Sequence, residues 1–163
     1  MKQLNLLALG ILGMLVLVQS PNWSQSQEPA IEREEEKGLK QAQEELRELE
    51  RKIKRKEIPD IEFEYNSAVL RDISKQTLDL VAELLTRFPK FKLQIFGHTC
   101  DIGSEQYNLW LSQKRTDSVK EYLVSIGILG ETVRAKGVGE SRPLKPNTSE
   151  YNRKKNRRVE FRI

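Results

Sequence analysis

The chain carries one cysteine and one histidine in 163 residues. A single cysteine excludes an intramolecular disulfide and a cysteine-rich metal cluster. A single histidine excludes a multi-histidine metal site. An excess of one charge is also missing: 28 Lys and Arg stand against 24 Asp and Glu, a net charge of +4. That is far below the basic excess of a typical nucleic-acid binder. The chain is also too polar for an all-apolar bundle, with 37% hydrophobic and 32% charged residues. Its length suits one compact domain with extensions. A domain of about 100 residues still buries a real core if its apolar residues are concentrated. The glycine-containing stretches GVGES and GILGE lack the Lys-Ser/Thr ending of a phosphate-binding loop, and no cofactor is expected.

The N-terminus reads as an address. Lys2 precedes an apolar stretch from Leu4 to Val18, followed by Gln19, Ser20, Pro21, Asn22, Trp23 and Ser24. A positive start, an apolar run and a polar end predict a secretory signal peptide over residues 1–24. As a helix the run spans roughly 22 Å, short of the roughly 30 Å hydrocarbon core. The alternative is an uncleaved inner-membrane anchor, because Pro21 and Trp23 make a poor cleavage site. No cysteine follows the run, so no lipid-modified N-terminus is expected. Export to a periplasmic, often oxidising compartment is the expectation.

Residues 25–57 form a charged spacer. From Glu28 to Glu57 nearly two residues in three are charged, with the signs almost balanced. Leu39, Ala42, Leu46, Leu49 and Ile53 recur at heptad spacing, and charges of opposite sign lie along the same helix. About two heptads fall short of the three or four that define a coiled coil. The segment therefore reads either as a stalk joining a second copy or an envelope partner through residues 31–57, or as a solvated spacer. Pro59 ends it.

The folded domain is expected over residues 58–163. Ile61/Phe63/Tyr65, Phe91/Leu93/Ile95, Val133/Ala135 and Val159/Phe161/Ile163 alternate with mostly polar residues, a pattern of half-buried strands. Two amphipathic helices lie between the first three strands. One carries Leu78, Val81, Leu84, Leu85 and Phe88 and stops at Pro89. The other carries Leu111, Val119, Tyr122, Leu123 and Ile126 and stops at Gly127. The order β-α-β-α-β-loop-β predicts an α+β, two-layer sandwich: a mixed four-stranded sheet with both helices on one face. Residues 137–153 read as an irregular loop.

The segment Gly97-His98-Thr99-Cys100-Asp101-Ile102-Gly103-Ser104 joins a strand to a helix. Unpaired N–H groups at such a junction suit a carboxylate or phosphate. Arg115 shares a helix face with Asn108 and Leu111, and its side chain leans back toward the junction. A guanidinium holds a carboxylate through two parallel bonds, and Asp101 suits an ammonium group. An ordinary turn beside a surface arginine is the plainer reading of the same residues. A Cys100–His98 nucleophile pair lacks an orienting partner, so His98 is expected to hydrogen-bond locally. Cys100 reads as a small filler or as a cross-link between two chains. Trp110 sits either at a helix–helix seam or on the surface.

The stretches IEFEYNSAVL, LQIFGHTCDIGSEQYNLWLSQKR, VKEYLVSIGI, VRAKGVGESRP and NRRVEFRI occur in that order over residues 61–163. They resemble the peptidoglycan-binding domain shared by the C-terminal half of outer-membrane protein A, the peptidoglycan-associated lipoprotein and the flagellar stator protein MotB. The resemblance implies non-enzymatic, non-covalent binding of the wall's peptide stem. In that family an Asp just after GHT and the Arg of LS..R grip diaminopimelate. The arginine corresponds to Arg115. The position after Thr99 is Cys100, a departure, and the carboxylate is one place on, at Asp101. Asn108 and Leu111 match pocket-shaping positions, Gly97 and Thr99 belong to the GHT motif, and Arg157 matches the first arginine of the terminal motif. Near the start of the last strand, Arg157 calls for a carboxylate partner or a ligand. The expected partner is peptidoglycan at the cell wall, near the outer membrane. Two alternatives stand beside it. One is an envelope protein with a degenerate pocket that acts through its charged helix. The other is an inner-membrane-anchored, stator-like component, although the apolar segment has no proton-channel carboxylate.

Overall fold

Alternating apolar residues bring three strands into one mixed sheet. In the computed structural model, which describes residues 23–163, β1 (Leu93–His98) is central. It pairs in parallel with β2 (Val133–Gly139) and antiparallel with β3 (Arg158–Arg162). The register sets Leu93 against Val133, and Ile95 against both Ala135 and Phe161. Side chains alternate faces along a strand, so this pairing lines up one apolar face. Leu93, Ile95, Val133 and Phe161 are all buried there.

Helices α2 (Asp72–Arg87) and α3 (Glu105–Ser125) cover that face. Leu78, Val81, Leu84 and Leu85 of α2 join Val119 and Leu123 of α3 in one core cluster. Both helices stop where the sequence indicates: α2 just before Pro89, and α3 before Gly127, which has φ +104°. The Ile128 N–H closes the last turn of α3 by donating to the Leu123 carbonyl.

The predicted fourth strand over Ile61–Tyr65 is corrected. Its backbone is spent locally, because Glu64 N–H donates to the Val69 carbonyl and Arg71 N–H to the Glu62 carbonyl. The result is a tight hairpin with one bridge, between Phe63 and Leu70. The outer edge of β3 meets a helix instead. From α1 (Trp23–Lys54) the Gln43 amide donates to the Ile163 carbonyl at 3.2 Å. A helix laid along an open edge protects it from unwanted pairing.

The second half of the predicted spacer packs with the folded domain. Residues 35–163 form one compact unit, which includes the second half of α1. Ala42 and Leu46 are fully or almost fully buried, and Leu46 and Leu49 pack in the core cluster. Part of the heptad seam in this half therefore serves the chain's own core. Residues 23–34 continue the same helix. The predicted signal peptide or anchor falls, except for its last two residues, outside the described residues.

The predicted loop 137–153 is corrected at both ends. Gly137 to Gly139 extend β2, and a short helix α4 (Glu150–Asn156) follows. Ser149 caps it by accepting the Asn152 N–H.

Candidate functional site

Two glycines set the depth of the site. Gly97 of β1 and Gly137 of β2 are register partners. A Cβ on Gly137 would lie 2.4 Å from the Gln113 nitrogen, and one on Gly97 would lie 2.6 Å from the Ser112 carbonyl oxygen. The missing side chains let α3 rest its backbone on the sheet. Gln113 exploits the contact: its Oε1 accepts the Gly137 N–H at 2.7 Å. Ser112 Oγ likewise accepts the Gly139 N–H at 2.9 Å. This locks the rotation of α3 and so places Asn108, Leu111 and Arg115.

The junction between β1 and α3 is tied down from below. Gly103 has φ +103°, which favours glycine. Asn108 is buried and donates to the Cys100 carbonyl at 3.1 Å and to Glu140 Oε2 at 2.5 Å. It shapes the turn from inside, and Leu111 is buried on the same side of the helix. The expected backbone anion site is partly consumed. Thr99 N–H donates to the Gly139 carbonyl, and Tyr107 N–H donates to Ser104 Oγ. Thr99 is buried, and its Oγ1 has no partner among the described residues.

Arg115 is half-buried in front of this turn. Its Nε donates to the Ser67 carbonyl at 2.9 Å, and its guanidinium lies 5.0 Å from the centre of the Phe63 ring. Its two terminal amino groups have no protein partner among the described residues. Burial pulls its pKa below the ordinary arginine value, and the charge of Arg157 adds to that. It stays cationic at physiological pH. Thus the hairpin that failed as a strand supplies the floor and one anchor of the arginine. Tyr107 pins the same hairpin by donating its hydroxyl to Asn66 Oδ1 at 2.8 Å. Sequence reasoning missed Phe63, Ser67 and Asn66; the positive φ of Asn66 suits an Asn-containing turn, the one local sign of the hairpin.

Arg157, just past α4, faces the same turn. Its Nη1 lies 3.6 Å from Cys100 Sγ, and its Nη2 pairs with Glu150 at 2.5 Å. The carboxylate that its position calls for is therefore Glu150, which also pairs with Arg153. Cys100 is buried against Arg157. Asp101 is exposed and makes no ion pair or side-chain hydrogen bond among the described residues. The structure thus brings together Arg115, Cys100, Asn108 and Arg157 around the turn, and leaves Asp101 facing solvent. Arg115 and Arg157 both line a groove of about 1310 Å³, together with Phe63, Gly97 and His98.

The local hydrogen bond expected of His98 is absent. Neither ring nitrogen has a partner among the described residues, and Glu160 stands 3.7 Å away. Burial pushes its pKa down to about 4, Arg158 adds to the shift and Glu160 opposes it. Trp110 is exposed, with its ring centre 5.7 Å from that of Tyr107.

Residues 62–157 match the family model described as the OmpA family. Outer membrane porin F of Pseudomonas fluorescens is 38% identical over 104 residues, which cover 64% of this chain and 32% of the porin. The chain therefore corresponds to about a third of that relative's length. Among solved structures, the peptidoglycan-associated lipoprotein from Burkholderia pseudomallei superposes with a TM-score of 0.59 at 27% identity, covering 63% of this chain and 86% of that one. A MotB-like protein from Desulfovibrio vulgaris gives a TM-score of 0.58 at 32% identity, with coverage of 62% and 68%.

Proposed function

The chain belongs to the OmpA family, and from that premise we propose that it binds peptidoglycan without catalysis and anchors or organises the bacterial envelope. The likeness to a peptidoglycan-associated lipoprotein supports the wall as partner. One observation carries the reading to the site. Arg115 is half-buried, held by Ser67 and Phe63, and unpaired at both terminal nitrogens among the described residues. Holding a guanidinium away from water without a carboxylate costs free energy, and an incoming carboxylate offsets that cost through two charge-assisted bonds.

In this reading Arg115 clamps the carboxylate of a diamino acid in the peptide stem, and diaminopimelate is the ligand proposed. Asp101, exposed beside the turn and unpaired, takes the ammonium group. Asn108, Leu111, Gly97 and Thr99 hold the turn in shape, while Cys100 and Arg157 form its far wall. The protein works at the periplasmic face of the envelope, with the wall as its partner.

The test is co-sedimentation of the protein with purified sacculi, competed by free diaminopimelate. The proposal expects pelleting that millimolar diaminopimelate abolishes and that Asp101→Asn weakens. Pelleting that ignores the competitor moves recognition to the glycan. An absence of pelleting refutes the function.

A further inference from the structure

Positive charge gathers in one lobe at the far end of the groove that Arg115 lines. Residues 140–163 hold eight Lys and Arg against three Glu. All three acids are engaged: Glu140 with Asn108, Glu150 with Arg153 and Arg157, and Glu160 with Arg158 and Arg162. Arg142, Lys145, Lys154 and Lys155 remain exposed, with no carboxylate partner among the described residues. Among these cations sit two exposed apolar side chains, Leu144 at 58% and Tyr151 at 70% exposure. The Lys155 ammonium lies 4.6 Å from the centre of the Tyr151 ring.

The lobe is built, not loose. Asn156 is fully buried at its centre. Its Oδ1 accepts the N–H groups of Leu144 and Lys145, and its Nδ2 donates to the Lys145 carbonyl and to Asn147 Oδ1. Arg153 adds a bond to the Asn147 carbonyl at 2.8 Å. Six residues of loop, including Pro143 and Pro146, are thereby held in one shape. Leu144 and Lys145 are presented at fixed positions beside α4.

We propose that this lobe docks on an anionic phospholipid bilayer, its four free cations over the headgroups and Leu144 and Tyr151 entering the interface. Charge complementarity selects the surface: four cations have no carboxylate partner among the described residues, and the lobe's cations outnumber its acids eight to three, so a negative surface is favoured. The apolar pair distinguishes a bilayer from a purely ionic polymer, since an interface rewards cations and apolar side chains together.

The experiment is co-flotation of the full chain with vesicles of phosphatidylcholine alone, or with 30% phosphatidylglycerol by composition. The wild type is compared with a variant carrying Arg142→Gln, Lys145→Gln, Lys154→Gln and Lys155→Gln. Any contribution from the apolar N-terminal residues is common to both proteins. Each basic residue at an anionic surface is worth about a fivefold change in affinity, so the four together are worth several hundred-fold. The expected result is binding that requires phosphatidylglycerol, weakens with salt and is lost in the variant. Leu144→Ser weakens it with the charge intact, and Arg115→Ala leaves it unchanged. The four cations make no ion pair among the described residues, and the variant loses only the Lys155–Tyr151 contact and two last-turn cations of α4, so it stays folded with a melting temperature within a few degrees of wild type. Equal binding to both vesicles, equal binding by both proteins, or no binding overturns the proposal. So does a variant that loses sacculus binding while vesicle binding persists, which would turn the lobe toward wall carboxylates. Wall binding through Arg115 stands or falls separately, on sacculi.

Discussion

Replacing Arg115 by alanine separates ligand binding from fold stability. The side chain makes one neutral-acceptor hydrogen bond, to Ser67, and one stack, on Phe63. These contribute roughly 1 kcal/mol and 0.5–1 kcal/mol. Against them stands the cost of keeping an unpaired guanidinium half out of water. The net loss of stability is therefore about 1 kcal/mol, a fall in melting temperature of roughly 2–4 °C for a chain of this size. Binding loses more. Two charge-assisted bonds to a carboxylate vanish together, which costs about 2–3 kcal/mol in a half-exposed setting, or roughly 30–150-fold in affinity. Arg115→Lys keeps the charge but cannot offer two parallel N–H groups, so it recovers little. The assay is a titration of sacculi by sedimentation, paired with a thermal melt of each variant. An alanine variant that pellets like the wild type, still competed by diaminopimelate, refutes the clamp.

Three further outcomes follow from the packing and the charges. Gly137→Ala drives a methyl against the Gln113 backbone, and lifting α3 off the sheet costs about 2–3 kcal/mol; a melt within a degree of wild type contradicts the close approach. Leu46→Ala removes a core side chain and costs about 2–4 kcal/mol with no change in oligomeric state; sedimentation that shows a dimer dissociating at unchanged melting temperature assigns the seam to a second copy instead. His98 is held neutral, its folded pKa of about 4 lying below the unfolded value near 6.5. The unfolded chain then binds more protons between those values, so His98 contributes stability above pH 6.5 that is lost as pH falls toward 4. Melting temperatures from pH 7 to 4 should fall more steeply for the wild type than for His98→Gln, and parallel curves exclude the histidine as the cause.

Local patterns in the chain carried much of this fold. Leu78, Val81, Leu84 and Leu85 repeat at helical spacing, and Leu93 and Ile95 at strand spacing. Pro89 and Gly127 end helices for reasons internal to each residue. The helix of Arg115, its lean and the adjoining turn follow from short-range geometry, but the clamp role proposed for it came from the resemblance of the LS..R motif. Ile61, Phe63 and Tyr65 alternate as well as any strand here, yet alternation says only that a segment has two faces. Whether it joins a sheet depends on which backbone groups reach it first, and the hairpin closing on Val69 and Arg71 is nearer in the chain than β3. The short helix α4 escaped notice because seven residues give too little periodicity to read.

Composition and spacing by themselves determined the element types, the apolar faces, the junction at residues 97–104 and the family motifs, since each depends on neighbours within a few residues. Only the tertiary structure decided that part of the heptad seam of α1 caps the chain's own core, that Phe63 and Ser67 hold Arg115, that Glu150 answers Arg157, and that Asp101 is left to solvent. Those pairings join residues tens of positions apart. They are selected by the depth at which α3 meets the sheet and by the edge that β3 leaves open, neither of which any single stretch of sequence encodes.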